Sequence, residues 1–273
     1  MSGVSRSLSL DRGPIADAPR TTSDPFERPR CSLSLAKRRI RDLEAEIKAF
    51  MDSEPYANVA ERNPTTNELE QKIKFTRRVP CEMEAVAIDV IDNLRSALDQ
   101  AACACAIAAG GTEARRALFP IARDRAQVDQ VIERRCQDLP LEIVAVIKGL
   151  KPYAGGNDLL VALNALYGVN RYRLLTPMGM ITGAAAMGDS TRSGSAPARP
   201  PRWDRAKNEI VYARARPGKP VQCDLRVSLF VSFGDVPLVA RQPPVPLLDS
   251  MAAEVEAALA TLEAEARRMA PLS

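Results

Sequence analysis

Met83, Val86, Val90, Leu94, Ala97, Ala101 and Cys105 recur in steps of three and four, and Ile91 and Leu98 widen the stripe. Any fold of this chain must therefore house one long helix that buries a face along its whole length. The pattern predicts a helix over 82–109, ended by Gly110-Gly111, which supply the left-handed conformation that commonly closes a helix. Small residues in its second half permit close approach of a neighbouring helix.

Ahead of it, Ala36, Ile40, Leu43, Ile47 and Phe50 alternate between steps of four and three, which predicts a helix over 34–52. After Pro55 the period falls to two. Leu69, Gln71, Ile73 and Phe75 share one face and Glu70, Lys72 and Lys74 the other, with Asn63-Pro64 as a turn, so 56–79 is expected to be a β-hairpin. Shorter helices are expected over 126–136, 141–150 and 158–167. Val221, Cys223, Leu225, Val227, Leu229, Val231 and Phe233 then alternate with polar residues, the strongest strand signal in the chain. Residues 208–215 are its expected partner strand and 174–182 a third, and Pro246 opens a final helix.

Helices first, strands later and no βαβ alternation predict an α+β fold: an N-terminal helical body with a β-hairpin, then a small antiparallel sheet and a C-terminal helix. The expected organisation is a disordered arm over 1–30, the helical body over 31–188, a flexible basic linker over 189–205, and strands plus helix over 206–270, packed on the same core.

The chain contains no histidine. That excludes a Ser/His/Asp triad, a Cys/His dyad, an HExxH zinc helix and an imidazole proton shuttle. Six scattered cysteines, without an apolar signal region at the start, read as free thiols in a reducing, cytoplasmic setting. Cys103 and Cys105, two apart on a helix, point to nearly opposite sides and cannot grip one ion. Neither metal nor cofactor is expected, and no apolar run is long enough for a membrane span. The 38 basic residues against 34 acidic ones give net +4 and pI 8.8, just short of the value expected of a dedicated nucleic-acid domain, so whole-chain charge decides little. Locally, 192–219 carries eight basic residues and two acids, which reads either as a solvated loop or as a nucleic-acid-binding stretch.

The polar side of the long helix holds the candidate site. At 100° per residue, Asp92, Arg95 and Asp99 form one ridge, and Asp89, Asn93 and Gln100 a second beside it. These residues read either as a surface ion-pair ladder, or as a ridge facing a cleft or second subunit where Arg95 holds phosphate or carboxylate. Gly155-Gly156 lacks the Gly-Lys-Ser/Thr ending of a phosphate loop and reads as a turn. Trp203 reads as a lone exposed aromatic in the linker.

The stretch "IDVIDNLRSALDQ" resembles the "GDxxHNLRSALDH" helix of an uncharacterised bacterial family, and the likeness continues through "LFPI", "LKPYAGGNDLL" and "LNALYGVNRYRLL", where the family reads approximately "LxxLxxxDKHRLL". It covers roughly residues 35–183. The family helix carries Arg, four residues, then His, a spacing similar to that of the HEPN superfamily, whose members include metal-independent ribonucleases acting across dimers of facing helices. The resemblance implies an arginine at Arg95 that stabilises phosphate charge. Gln100 stands where the proton-moving histidine would be, Asp92 replaces the other helix histidine, and Asn170, Arg171 and Tyr172 replace the Asp, Lys and His of "DKHR", with Arg173 retained. Glutamine holds a hydrogen bond but moves no proton near neutral pH. The expectation is a non-catalytic, HEPN-like binding or interaction protein, with Arg95, Arg171 and Arg173 around an anionic group and a homodimer formed through the 82–109 helix. The alternatives are a phosphodiester-cleaving enzyme and a nucleic-acid binder using 192–219.

Overall fold

The computed structural model describes residues 24–111, 117–168, 174–187, 203–204, 206–215, 223–234, 236 and 238–269. Among them are helices α1 (Glu27–Asp52), α2 (Cys81–Ala108), α3 (Val128–Arg135), α4 (Leu141–Gly149), α5 (Asp158–Gly168) and α6 (Pro244–Met269). The strands are β1 (Tyr56–Arg62), β2 (Leu69–Phe75), β3 (Leu175–Met187), β4 (Trp203–Asp204), β5 (Glu209–Ala215) and β6 (Cys223–Phe233). This is the expected α+β arrangement, with a helical body, small antiparallel sheets and a C-terminal helix.

Helix α2 is the axis of the core. Its stripe from Met83 to Cys105 is fully buried at Val90, Leu94, Ala97, Leu98 and Ala101, where α1, α5 and α6 close over it. The alanines of its second half let α6 approach, and α6 lays Leu248, Met251, Val255, Leu259 and Leu262 into the same core. The C-terminus of α2 closes with paired bonds: Gly110 N donates to Ile107 O at 3.0 Å and Gly111 N to Ala106 O at 3.0 Å, with Gly110 at φ +85°. A Cβ on Gly111 would lie 2.8 Å from the Ala106 carbonyl oxygen. Gly111→Ala is therefore expected to cost about 1–3 kcal/mol, and Gly110→Ala about 1–2 kcal/mol for its left-handed backbone, both read as a fall in the urea midpoint. A midpoint unchanged by either would show that this closure contributes nothing.

The first helix begins earlier than its sequence pattern indicates. Residues 24–30, expected in the disordered arm, are folded: Phe26 is buried, Asp24 Oδ1 accepts from Phe26 N at 2.9 Å, and α1 starts at Glu27. Pro29 obscured this in the sequence, yet in the first turn its missing N–H breaks no intrahelical bond. The rest of the expected arm, 1–23, lies outside the described residues.

The strands pair differently from expectation. Strand β5 does not pair with β6; it pairs antiparallel with β2 of the hairpin, from Leu69↔Ala215 to Lys74↔Glu209, giving a four-stranded sheet in the order β1-β2-β5-β4. Strand β6 instead pairs with β3, from Leu175↔Phe233 to Met187↔Cys223. Trp203, expected in the flexible linker, is half-buried in β4: it packs edge-on against Phe75 at 5.7 Å, and a Cβ on Gly179 of β3 would lie 3.1 Å from its ring. The remainder of the expected linker, 189–202 and 205, lies outside the described residues.

Because β2 is central, its polar face is covered too. Lys72 Nζ reaches Glu70 at 3.1 Å and both Glu209 on β5 and Glu61 on β1 at 3.2 Å, and Lys72, Glu70 and Glu209 are all buried. Glu70 also accepts from Asn63 Nδ2 at 2.8 Å and from Arg214 Nε at 3.0 Å. Burial opposes charge on both Glu70 and Lys72. The bonds from Asn63, Lys72 and Arg214 nonetheless hold the Glu70 carboxyl below its usual range, and the three carboxylates hold the Lys72 ammonium above its own.

Candidate functional site

The 117–123 segment runs back across the polar side of α2, and one side chain on that helix fixes each half of a single peptide residue. Asp99 Oδ1 accepts from Phe119 N at 2.9 Å, and Arg95 Nη2 donates to Phe119 O at 2.9 Å. The two side chains, one helical turn apart, close the ring with a 3.0 Å ion pair. Phe119 is thereby driven fully into the core, and Leu118 N is held by Arg135 O at 3.0 Å. An arginine and a carboxylate at i and i+4 thus form a clamp rather than a ladder in solvent: only 3% of the Arg95 side chain is exposed, against 25% of Asp99.

The clamp uses one edge of the guanidinium. Arg95 Nη1 is buried and has no hydrogen-bond partner among the described residues. Buried donors left in that state are costly, and arginine does not escape by losing its proton. Beside the clamp lies a cavity of about 440 Å³, lined by Arg95 and Asp99 from α2, Leu118, Arg135 at the end of α3, and Asn164 and Tyr167 on α5. Burial lowers the pKa of Arg95; Asp99 opposes that and the positive charge of Arg135 adds to it. Burial likewise raises Asp99 above the usual carboxylate value, against the pull of Arg95 and the Phe119 N–H. Two cations and one carboxylate therefore line the cavity, leaving a net positive site that an anion would relieve.

Arg95 and Asp99 come together at the cavity. Asp92, half-buried on the same ridge, is not among its lining residues. The second ridge turns toward α1: Gln100 Oε1 accepts from Ser32 Oγ at 3.1 Å, Asp89 lies 3.9 Å from Arg39, and Asn93 Nδ2 donates to the Asp89 carbonyl at 2.7 Å. Gln100 is five residues from Arg95, about 140° round the helix, and does not line the cavity. Arg171, Tyr172 and Arg173 lie outside the described residues. Arg135, Asn164 and Tyr167 were not anticipated as site residues. Asn164 and Tyr167 fall inside "LNALYG", one turn apart on α5, which was the available signal; nothing local marked Arg135 out from its neighbour Arg134.

Other sequence features take structural roles. The 155–157 loop is a turn and helix start, with Gly155 at φ +78° and Asn157 Oδ1 accepting from Leu160 N at 3.2 Å. Cys105 and Cys136 are buried thiols, pushed up to about 12 and about 11 by burial, and Cys103 donates to Ala117 O at 3.0 Å. Within the basic stretch, 209–215 is a sheet strand and Arg214 is paired with Glu70. Among the described residues, no group of three or more Cys, Asp and Glu side chains is placed to hold a metal, and no helix is long and apolar enough to cross a membrane.

Comparison with protein-family models, curated proteins and solved structures gives no match to this chain.

Proposed function

We propose that the chain is a binding protein, HEPN-like in the use of its helix arginine, that holds a small anionic group in the cavity between α2, α3 and α5 and carries out no turnover there. One observation carries the reading: the cavity beside the clamp is lined by two cations, Arg95 and Arg135, against a single carboxylate, Asp99. Two guanidinium groups beside one carboxylate are a fitting seat for phosphate or carboxylate. No imidazole is present to move a proton, and Gln100, at the position implied for one, is engaged with Ser32.

The free thiols suit a reducing, cytoplasmic setting. A dimer through α2 draws no support from its apolar stripe, which α1, α5 and α6 cover within the chain. The nucleic-acid alternative is weakened by the commitment of 209–215 to the sheet.

The test is a titration of inorganic phosphate against the unfolding midpoint. Phosphate is expected to stabilise the chain by about 1.4 kcal/mol at ten times its dissociation constant and to go on doing so with the logarithm of its concentration, with Arg135→Ala abolishing the effect. Arg135 contributes no side-chain bond to the clamp, so this variant keeps the fold. An equal rise in Arg135→Ala would mark a general salt effect and refute the site, and RNA cleavage lost in that variant would refute the absence of turnover.

A further inference from the structure

A second cavity of about 340 Å³ adjoins the first and shares Asn164 with it. Along α5, Val161, Asn164 and Ala165 line the second cavity, while Asn164, Tyr167 and Gly168 line the first, so one helix face runs past both. Val161 and Gly168 are seven residue steps apart, about 10 Å along the helix. Opposite it, α3 presents Val131 and Arg134 to the second cavity and Arg135 to the first. The two hollows share Asn164 and lie along one face of α5, opposite α3.

Their chemistry differs. The first is the charged station already described. The second has apolar walls at Ile121, Val131 and Val161, side-chain amides at Gln127 and Asn164, and Arg123 and Arg134 with no acid among its lining. Neither Arg123 nor Arg134 has an ion pair among the described residues, and both are exposed. Aliphatic walls suit the faces of a flat ring, while amides and guanidinium groups suit its polar edge or stack on it. Leu118 and Tyr167, 39% and 44% exposed, leave further apolar surface beside the charged station.

We infer that the two hollows together take an aryl or heteroaryl phosphate, with the phosphate beside Arg95 and Arg135 and the ring between Ile121, Val131 and Val161. This rests on the anion site proposed above and adds the class of molecule it serves. A phosphate head fits the excess of positive charge: Arg95, Arg135, Arg123 and Arg134 face a single carboxylate, Asp99, across both stations.

The experiment is calorimetric titration of the full chain with inorganic phosphate and with phenyl phosphate. Phenyl phosphate is expected to bind at least about ten-fold more tightly, because burying the ring adds apolar contact that phosphate alone lacks. Ala165→Leu, which fills the second cavity from α5, should bring phenyl phosphate down to the affinity of inorganic phosphate and leave the latter unchanged. Gln127→Phe closes the same cavity from an exposed position and covers the case in which Ala165→Leu fails to fold. Equal binding of the two probes by the unmodified chain, or phenyl phosphate binding unchanged by the filling substitution, overturns the ring station while the anion site stands. Binding of neither probe overturns both.

Discussion

Arg95→Ala is expected to destabilise the chain by about 3–5 kcal/mol, because it strands the Asp99 carboxylate and the Phe119 carbonyl and leaves a void where the guanidinium lay. Asp99 keeps 25% of its side chain exposed, so water relieves part of its loss and the lower end of that range applies. Arg95→Lys retains the charge but not the fork, and cannot serve Asp99, the Phe119 carbonyl and the cavity together; about 1–3 kcal/mol is expected. Urea unfolding measures both. A loss under about 1 kcal/mol for Arg95→Ala would show that the clamp does not anchor the 117–123 segment.

The second large effect lies in the sheet. Lys72→Met keeps most of the apolar stem but takes the ammonium from between Glu70 and Glu209, both buried, and is expected to cost about 3–5 kcal/mol at neutral pH. Adding Glu70→Gln and Glu209→Gln to that background should recover much of the loss, since it removes the repulsion. The pH dependence follows from the directions of the shifts. Glu70 is held below its ordinary 4.5, so its stabilising contribution is present above pH 4.5 and is lost as pH falls through its lowered folded value. Lys72 is held above its ordinary 10.5, so its contribution is present below pH 10.5 and is lost as pH rises through its raised folded value. In Lys72→Met the penalty should therefore shrink in acid, where the carboxylates protonate. A penalty independent of pH would place its origin in packing.

These two clusters mark where the sequence was legible and where it was not. Periodicity located α2, the hairpin and α6 because each buries one continuous face, and the spacing of apolar residues records that directly. Period two in β2 separated Phe75 from Lys72 but did not say what would cover each face; β5, more than 130 residues later, brings Glu209 over the lysine. The pairing of β5 with β2, rather than with β6, is likewise a long-range choice that local alternation cannot express. At the site, helix geometry placed Arg95 and Asp99 together. That the pair would be buried depended on Phe119 returning to it, and the cavity depended on Arg135 and Asn164 arriving from two other helices.

Arginine-selective nitrogen NMR tests the central claim most directly, that Arg95 grips Phe119 and, with Arg135, holds an anion in the adjoining cavity. With assignment by Arg95→Lys, addition of phosphate is expected to shift the Arg95 guanidinium signals, and those of Arg135, while the Phe119 amide stays in place. Arg95 signals that remain unmoved at phosphate concentrations saturating every other response would contradict it.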